Sequence, residues 1–242
     1  MARPKSATHD LKREEILEVA ASCFAASSYP SASMNDLAHA LGTSKARLYH
    51  YYDSKQAILF DLLDRYTLLL LELVAEVQTQ SSQSKLSPQA TVHSLVKRFL
   101  QTYESSATRH IALLHSSQFL SETQRGLVVE RQRQVVSALG DMLAQAYPSR
   151  VHAQNKIPLT MMLFGMINWT FTWLRPQGAL SYDAFAQGVI EPAKRHILNV
   201  GFASSVQADV LSFFSGHWQT AHDHGQHITQ VDFHAMFFGP RK

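Results

Sequence analysis

Between Thr43 and Tyr51 the chain crowds hydrogen-bond donors and aromatic rings into nine positions. Thr43, Ser44, Lys45, Arg47, Tyr49, His50 and Tyr51 are all of this kind, and only Ala46 and Leu48 interrupt them. Lys45 and Arg47 suit guanine O6 and N7 or a phosphate. Thr43 and Ser44 suit phosphate oxygens, and Tyr49 and Tyr51 offer hydroxyls and flat faces. A polar run of this kind is ordinarily a solvated surface. It becomes a reading surface only if neighbouring elements hold it rigidly, so the elements decide.

The flanking residues supply that frame. Ser33 is placed to cap a helix on which Met34, Leu37, Ala38 and Leu41 recur at helical spacing. Gly42 follows where the chain must reverse, and glycine enters a left-handed conformation at little steric cost. Thr43 or Ser44 caps a second helix of under two turns, Lys45 to about Tyr49, with Leu48 turned inward. Asp53 or Ser54 caps a third, with Ala57, Ile58 and Leu59 on its inner side. Two short helices crossed through a glycine turn, the second covered in donors, describe a DNA-binding helix-turn-helix.

The segment resembles the N-terminal domain of the TetR family of bacterial transcriptional regulators. The matching residues are Arg13, Ile16, Leu17, Ala20 and Phe24 on a first helix, then Tyr29, Ser33, Met34, Asp36, Leu37, Ala38, Gly42, Ser44, Leu48, Tyr49, Tyr51, Tyr52, Lys55 and Leu59. The resemblance implies that the helix beginning near Ser44 lies in the major groove. It also implies that Ser33, Tyr51 and Lys55 hold phosphates. Three residues depart from the family pattern. Ser28 stands where glycine is usual, Thr43 replaces a common valine, and Tyr52 replaces a usual phenylalanine. The Tyr52 hydroxyl therefore needs a partner or a path to solvent.

The rest of the chain reads as all-α. Residues 1–9 form an arm carrying Arg3 and Lys5, able to reach phosphates or the minor groove. Asp10 starts a helix to about Ser27, and Pro30 follows its end. From Ser54 the pattern stays helical to about Thr79 without a breaker, a rod leading from the DNA head into a second domain. Gln80–Ser87 is a polar loop, and further helices are expected at Pro88–Ser105, Thr108–Phe119, Ser121–Ala146, Pro158–Leu174 and Tyr182–Asn199. The division is a head at 1–55 and a helical bundle for effector binding and dimerisation at 56–242, with an atypical tail over 200–242. The resemblance implies dimerisation through the last two long helices. One recognition helix this short reads few bases, so a two-fold dimer on a pseudo-palindromic double-stranded operator is expected.

A second stretch, Met161–Ser181, places Gly165, Asn168, Trp169 and Thr172 on one helical face, with Trp173 and Arg175 close beyond. Aromatics at this spacing are most often core. A mid-helix asparagine in apolar company needs a hydrogen-bond partner. The run resembles a C-terminal signature of TetR-like repressors of lipid, steroid and aromatic-acid catabolism, whose effectors are often acyl-coenzyme A thioesters. Residues 97–175 carry nine Lys/Arg against four Asp/Glu, which agrees with an anionic effector. Arg125, Arg131, Arg133 and Arg175 are its candidate partners. The rival readings are a different hydrophobic ligand of the drug-efflux type, and gating by a partner protein.

Other classes find little support. The net charge of +3 is mild, and 45% hydrophobic content marks a globular chain with a core. Thirteen histidines are many, yet with few carboxylates beside the cluster His217, His222, His224, His227 and His234, no metal site is expected. No phosphate loop, nucleophile elbow or H-E-x-x-H occurs, so neither an enzyme nor a bound cofactor is expected. The start of the chain lacks an apolar run, and Thr67–Val77 contains Glu72 and Glu76. The expectation is a cytoplasmic protein with no membrane contact. Cys23, the single cysteine, falls on the apolar side of the first helix.

Overall fold

The computed structural model describes residues 7–170, 174 and 181–186, and no strand occurs among them. The elements are α1 (Ala7–Ser27), α2 (Met34–Ala40), α3 (Lys45–Tyr49), α4 (Lys55–Gln83), α5 (Pro88–Ser105) and α6 (Ala107–Ser116). A 3-10 turn at Ser117–Phe119 leads into α7 (Glu122–Ala146), and α8 spans Lys156–Asn168. The all-α reading therefore holds. Of the helix expected at Tyr182–Asn199, residues 182–186 are helical and the remainder lies outside the described residues.

Local chemistry sets most boundaries. Ser33 and Asp36 form a capping box at α2, and Ser44, Ser54, Ser87 and Ser121 each accept a backbone N–H at the start of α3, α4, α5 and α7. At the end of α2, Gly42 takes φ +61°. Its N–H donates to His39 and that of Thr43 donates to Ala38, closing the helix and starting the turn. A side chain at Gly42 would meet no neighbour within 4 Å, so its backbone angle, not space, requires glycine.

Several expected boundaries move. α1 is already helical at Ala7, the first described residue, so Asp10 lies inside the helix and not at its cap. α4 runs past Thr79 to Gln83. The serines and glutamines of 80–83 do not stop a helix that already buries Ser81, and α4 ends only where Lys85 turns left-handed at φ +50°. The N–H groups of Lys85 and Leu86 then close the helix on the carbonyls of Ser82 and Ser81. α8 begins at Lys156, two residues before Pro158; proline is tolerated in a first turn, where its missing N–H leaves nothing unpaired.

Packing joins the pieces. Ile16, Leu17, Ala20 and Phe24 of α1 bury with Leu37, Ala38, Leu48, Ile58 and Leu59. Each aliphatic side chain fully withdrawn from water contributes about 1.5–3 kcal/mol. Beyond the head, α4 packs on α5, α6 and α7, while α6 also lies along α1 and α7 along α8. α4 is 29 residues, about 44 Å at the helical rise, and it belongs to both halves. Cys23 is half-buried, and burial raises its thiol pKa, which keeps it protonated. No described helix is long and apolar enough to cross a membrane.

Candidate nucleic-acid interface and effector core

α3 is anchored by one residue. Leu48 is 1% exposed beneath the helix, while Lys45, Ala46, Arg47, Tyr49 and His50 stand in solvent. Ser44 holds the start, its Oγ accepting the Arg47 N–H at 3.2 Å. Lys45 Nζ lies 6.0 Å from the Tyr49 ring centre, one turn on. Thr43 and Tyr51 flank the helix, half-buried. The structure thus brings Thr43, Ser44, Lys45, Arg47, Tyr49, His50 and Tyr51 around one short exposed helix. His9 adds to them: its ring meets Tyr51 with centres 5.1 Å apart. Sequence spacing did not reveal it, because the contact joins α1 to a residue 42 positions on.

Two of the phosphate candidates have other commitments. Ser33 Oγ donates to Asp36 Oδ2 at 2.7 Å and accepts the Asp36 N–H. These bonds from Ser33 hold the Asp36 carboxyl below its ordinary value. Lys55 Nζ donates to the carbonyls of Tyr29 (2.7 Å), Pro30 (3.3 Å) and Ala32 (2.6 Å), and sits 4.3 Å from the Tyr29 ring centre. Its three N–H groups are occupied by the α1–α2 loop, so the ammonium is a structural clamp. Burial lowers its pKa.

Tyr52 explains one departure from the family pattern. It is 4% exposed, and its hydroxyl donates to Asp61 Oδ2 and accepts from Arg13 Nε at 3.2 Å. Arg13 Nη2 also pairs with Asp61 at 2.8 Å, and Arg65 Nε does so at 3.1 Å. Burial acts to raise the Asp61 pKa, but the Tyr52 bond and the Arg65 and Arg13 charges outweigh it, and the carboxyl lies below its ordinary value. Ser28 explains another: it adopts φ +66° at the end of α1, the left-handed turn that a glycine would make without strain.

The head is fastened to the second half at both ends of one segment. At the start of α6, Arg109 pairs with Glu14 and Glu18 of α1, the latter at 3.0 Å. At its end, the Phe119 ring stacks on Tyr29 with centres 5.1 Å apart, and Gln56 donates to the Phe119 carbonyl at 3.1 Å.

The candidate effector residues separate. Arg131 donates through Nη1 to both the carboxylate and the main-chain carbonyl of Asp64, which ties α7 to α4. In this arrangement the guanidinium holds two helices together. Arg133 is 71% exposed beside Glu130, 3.7 Å away, and Arg125 is half-buried in the first turn of α7. The three arginines do not converge. Asn168 ends α8 with its Oδ1 buried and without a hydrogen-bond partner among the described residues. Trp169 is half-buried beside it, while Thr172, Trp173 and Arg175 lie outside the described residues.

A polar group that spacing did not expose occupies the core nearby. His110 of α6 is 2% exposed, stacks on Tyr103 of α5 at 3.9 Å, and meets the Tyr66 hydroxyl of α4 through Nδ1 at 3.2 Å. Burial, helped by His115, lowers its pKa to about 3, so the imidazole is neutral. Burial likewise raises the pKa values of Tyr66 and Tyr103. The signal was a histidine set among Ile111, Leu113 and Leu114.

A short exposed helix, held by one leucine at the end of a long helix shared with a second bundle, defines a helix-turn-helix DNA-binding regulator. Residues 16–62 match the model for bacterial regulatory proteins of the tetR family, and residues 85–197 match a tetracyclin repressor-like C-terminal domain. A TetR-family transcriptional regulator from Bordetella parapertussis 12822 is 36% identical, over 79% of this chain and 98% of that one, with a TM-score of 0.73. The HTH-type transcriptional repressor KstR2 of Rhodococcus jostii (strain RHA1) is 24% identical over 73% of this chain and 86% of its own. The fold is also that of AibR, solved in complex with isovaleryl coenzyme A and operator DNA, at 23% identity, a TM-score of 0.64, and coverage of 74% and 97%. The chain belongs to the TetR family of transcriptional regulators.

Proposed function

We propose that the protein is a homodimeric repressor that binds a pseudo-palindromic operator and is released by an acyl-CoA thioester. The observation that carries the DNA reading is α3: Lys45 and Arg47 project from a helix whose only buried side chain is Leu48. Thr43, Ser44 and Tyr51 supply phosphate contacts at its flanks, and Tyr49 and His50 reach the groove. At Lys55, the backbone N–H groups at the start of α4 take the role that the ammonium cannot. Functionally, residues 1–55 read DNA and residues 56–242 sense the effector and dimerise.

The thioester reading rests on three supports. The run from Asn168 to Gly178 resembles the signature of catabolic repressors, residues 97–175 are basic, and AibR, of the same fold, binds isovaleryl coenzyme A. With Arg131 bonded to Asp64, Arg125, Arg133 and Arg175 remain as separate candidate partners for the several phosphates of the ligand. Release follows from the fastening of the head: a ligand that displaces α6 also displaces Arg109 and Phe119, and with them α1 and the Tyr29 loop.

The test is fluorescence anisotropy on DNA from upstream of the gene, with and without acyl-CoA thioesters, at two salt concentrations. Tight, salt-dependent binding released by a thioester is the expected result. Binding that no thioester disturbs moves the search to drug-like ligands or a partner protein.

A further inference from the structure

Tyr51 stands at the edge of the reading helix with a fixed backbone and an unused hydroxyl. Its N–H donates to the Leu48 carbonyl at 3.0 Å, and the next residue, Tyr52, is buried and tied to Asp61 and Arg13. These bonds settle where the main chain of Tyr51 lies and leave the direction of its ring open. The side chain is half-buried, and its hydroxyl is reached by solvent and has no hydrogen-bond partner among the described residues. A hydroxyl that meets one phosphate binds more tightly when it is already in place, because ordering a side chain on binding costs affinity.

The ring contact that sets its direction comes from outside the helix-turn-helix. His9 of α1 packs against Tyr51 with ring centres 5.1 Å apart and planes 31° from parallel, a tilted pair that is attractive beyond the area it buries. The imidazole is not fastened by its nitrogens. Nδ1 is buried without a hydrogen-bond partner, Nε2 has none among the described residues, and Asp10 Oδ1 is 3.8 Å from Nδ1, too far for a hydrogen bond. What His9 offers is therefore its face. Asp10 is also half-exposed, so its carboxylate opposes a phosphate placed on the imidazole itself. Lys12, one turn along α1, does not offset that charge, because it is paired with Glu15 at 2.7 Å.

We infer that His9 is a positioning residue for DNA binding: its ring presses on Tyr51 and holds the hydroxyl ready for the phosphate beside α3, without touching DNA itself. The role deepens the proposed DNA reading and rests on it. The phosphate contact at this edge then depends on α1 as well as on the glycine turn, and it needs a ring at position 9 rather than a hydrogen-bonding group.

The experiment is a double-mutant cycle on the full-length protein, read by anisotropy on the duplex that the wild type selects from random DNA and on an unrelated duplex. Tyr51→Phe, which removes only the hydroxyl, is expected to weaken binding by about tenfold, the scale of one hydrogen bond to a charged group. His9→Ala should weaken it by about three- to tenfold, the scale of one ring pair. Both losses should be alike on the two duplexes, as for a phosphate contact. His9→Phe, which keeps a ring and no nitrogen, should bind within about twofold of wild type. In the Tyr51→Phe background, His9→Ala should cost less than about twofold, because the hydroxyl it positions is gone. Additive losses, or His9→Phe as weak as His9→Ala, would show that the imidazole meets DNA directly and overturn the positioning role. Undiminished binding by His9→Ala overturns it as well. Undiminished binding by Tyr51→Phe removes the phosphate contact and this inference while leaving α3 as the reader. Failure of the wild type to select any duplex overturns the DNA reading and this inference together.

Discussion

Lys45 and Arg47 on α3 stand in solvent with no carboxylate at ion-pair distance among the described residues, whereas Arg109 on α6 is gripped by two glutamates of α1. The same residue types thus do opposite work. On α3, cations left without partners are available to a polyanion, and they add little to the stability of the fold. Around α6, cations and rings are consumed by contacts between the head and the bundle. Mutations in the first region should change DNA affinity and leave melting unchanged. Mutations in the second should change melting or ligand response first.

The largest effect expected is on α3. Replacing both Lys45 and Arg47 by alanine should weaken operator binding by about a hundredfold or more, at about 1–3 kcal/mol for each base contact. Anisotropy should also show a shallower dependence on salt. The melting temperature should stay within a degree or two, because neither side chain is buried. An equal loss of stability would collapse the contrast.

Next comes the Tyr52–Asp61–Arg13 knot. Asp61→Asn leaves Arg13 and Tyr52 imperfectly paired and should destabilise the protein by about 1–3 kcal/mol near neutral pH, read by urea unfolding. The pH dependence has a definite sign. A carboxyl whose folded pKa is lowered stabilises fully above its unfolded value of about 4, and that stability is lost as pH falls through the folded value. The wild type should therefore lose stability below about pH 4, and its lead over Asp61→Asn should shrink there.

Arg109→Gln sharpens the comparison at the joint. Its glutamate partners are half-exposed, so the expected stability loss is smaller, about 1 kcal/mol. Operator affinity without ligand should change little. The ligand-induced loss of affinity should shrink, because one of the two ties between the α6 segment and the head is cut. The smallest effect is Ser28→Gly, which removes left-handed strain and should raise stability by about 1 kcal/mol without altering DNA affinity.

What could be read from the sequence follows the same division. The head was legible because its signals are local: Ser33 with Asp36, Gly42, Ser44 and Leu48 lie within sixteen residues and set their own backbone. The end of α4 was not, because polarity at 80–83 suggested a loop while burial of Ser81 and the left-handed turn at Lys85 set the boundary. The family resemblance makes Lys55 a phosphate ligand, while its carbonyl partners lie 23 to 26 residues earlier. The basic middle of the chain makes Arg131 a candidate ligand contact, and its partner Asp64 stands 67 residues away. Pairings over such distances arise from the packing of whole helices, and periodicity carries no record of them. The Tyr66–His110 contact, 44 residues apart, escaped for the same reason.

The central claim is that α3 reads DNA in a two-fold complex. It is tested most directly by selecting sequences from random duplex DNA with the wild-type protein and with Arg47→Ala. The account predicts that the wild type enriches a sequence with two inverted half-sites, and that Arg47→Ala loses the enrichment while remaining folded. Enrichment of the same sequence by both proteins, or a single unrepeated half-site, would contradict it.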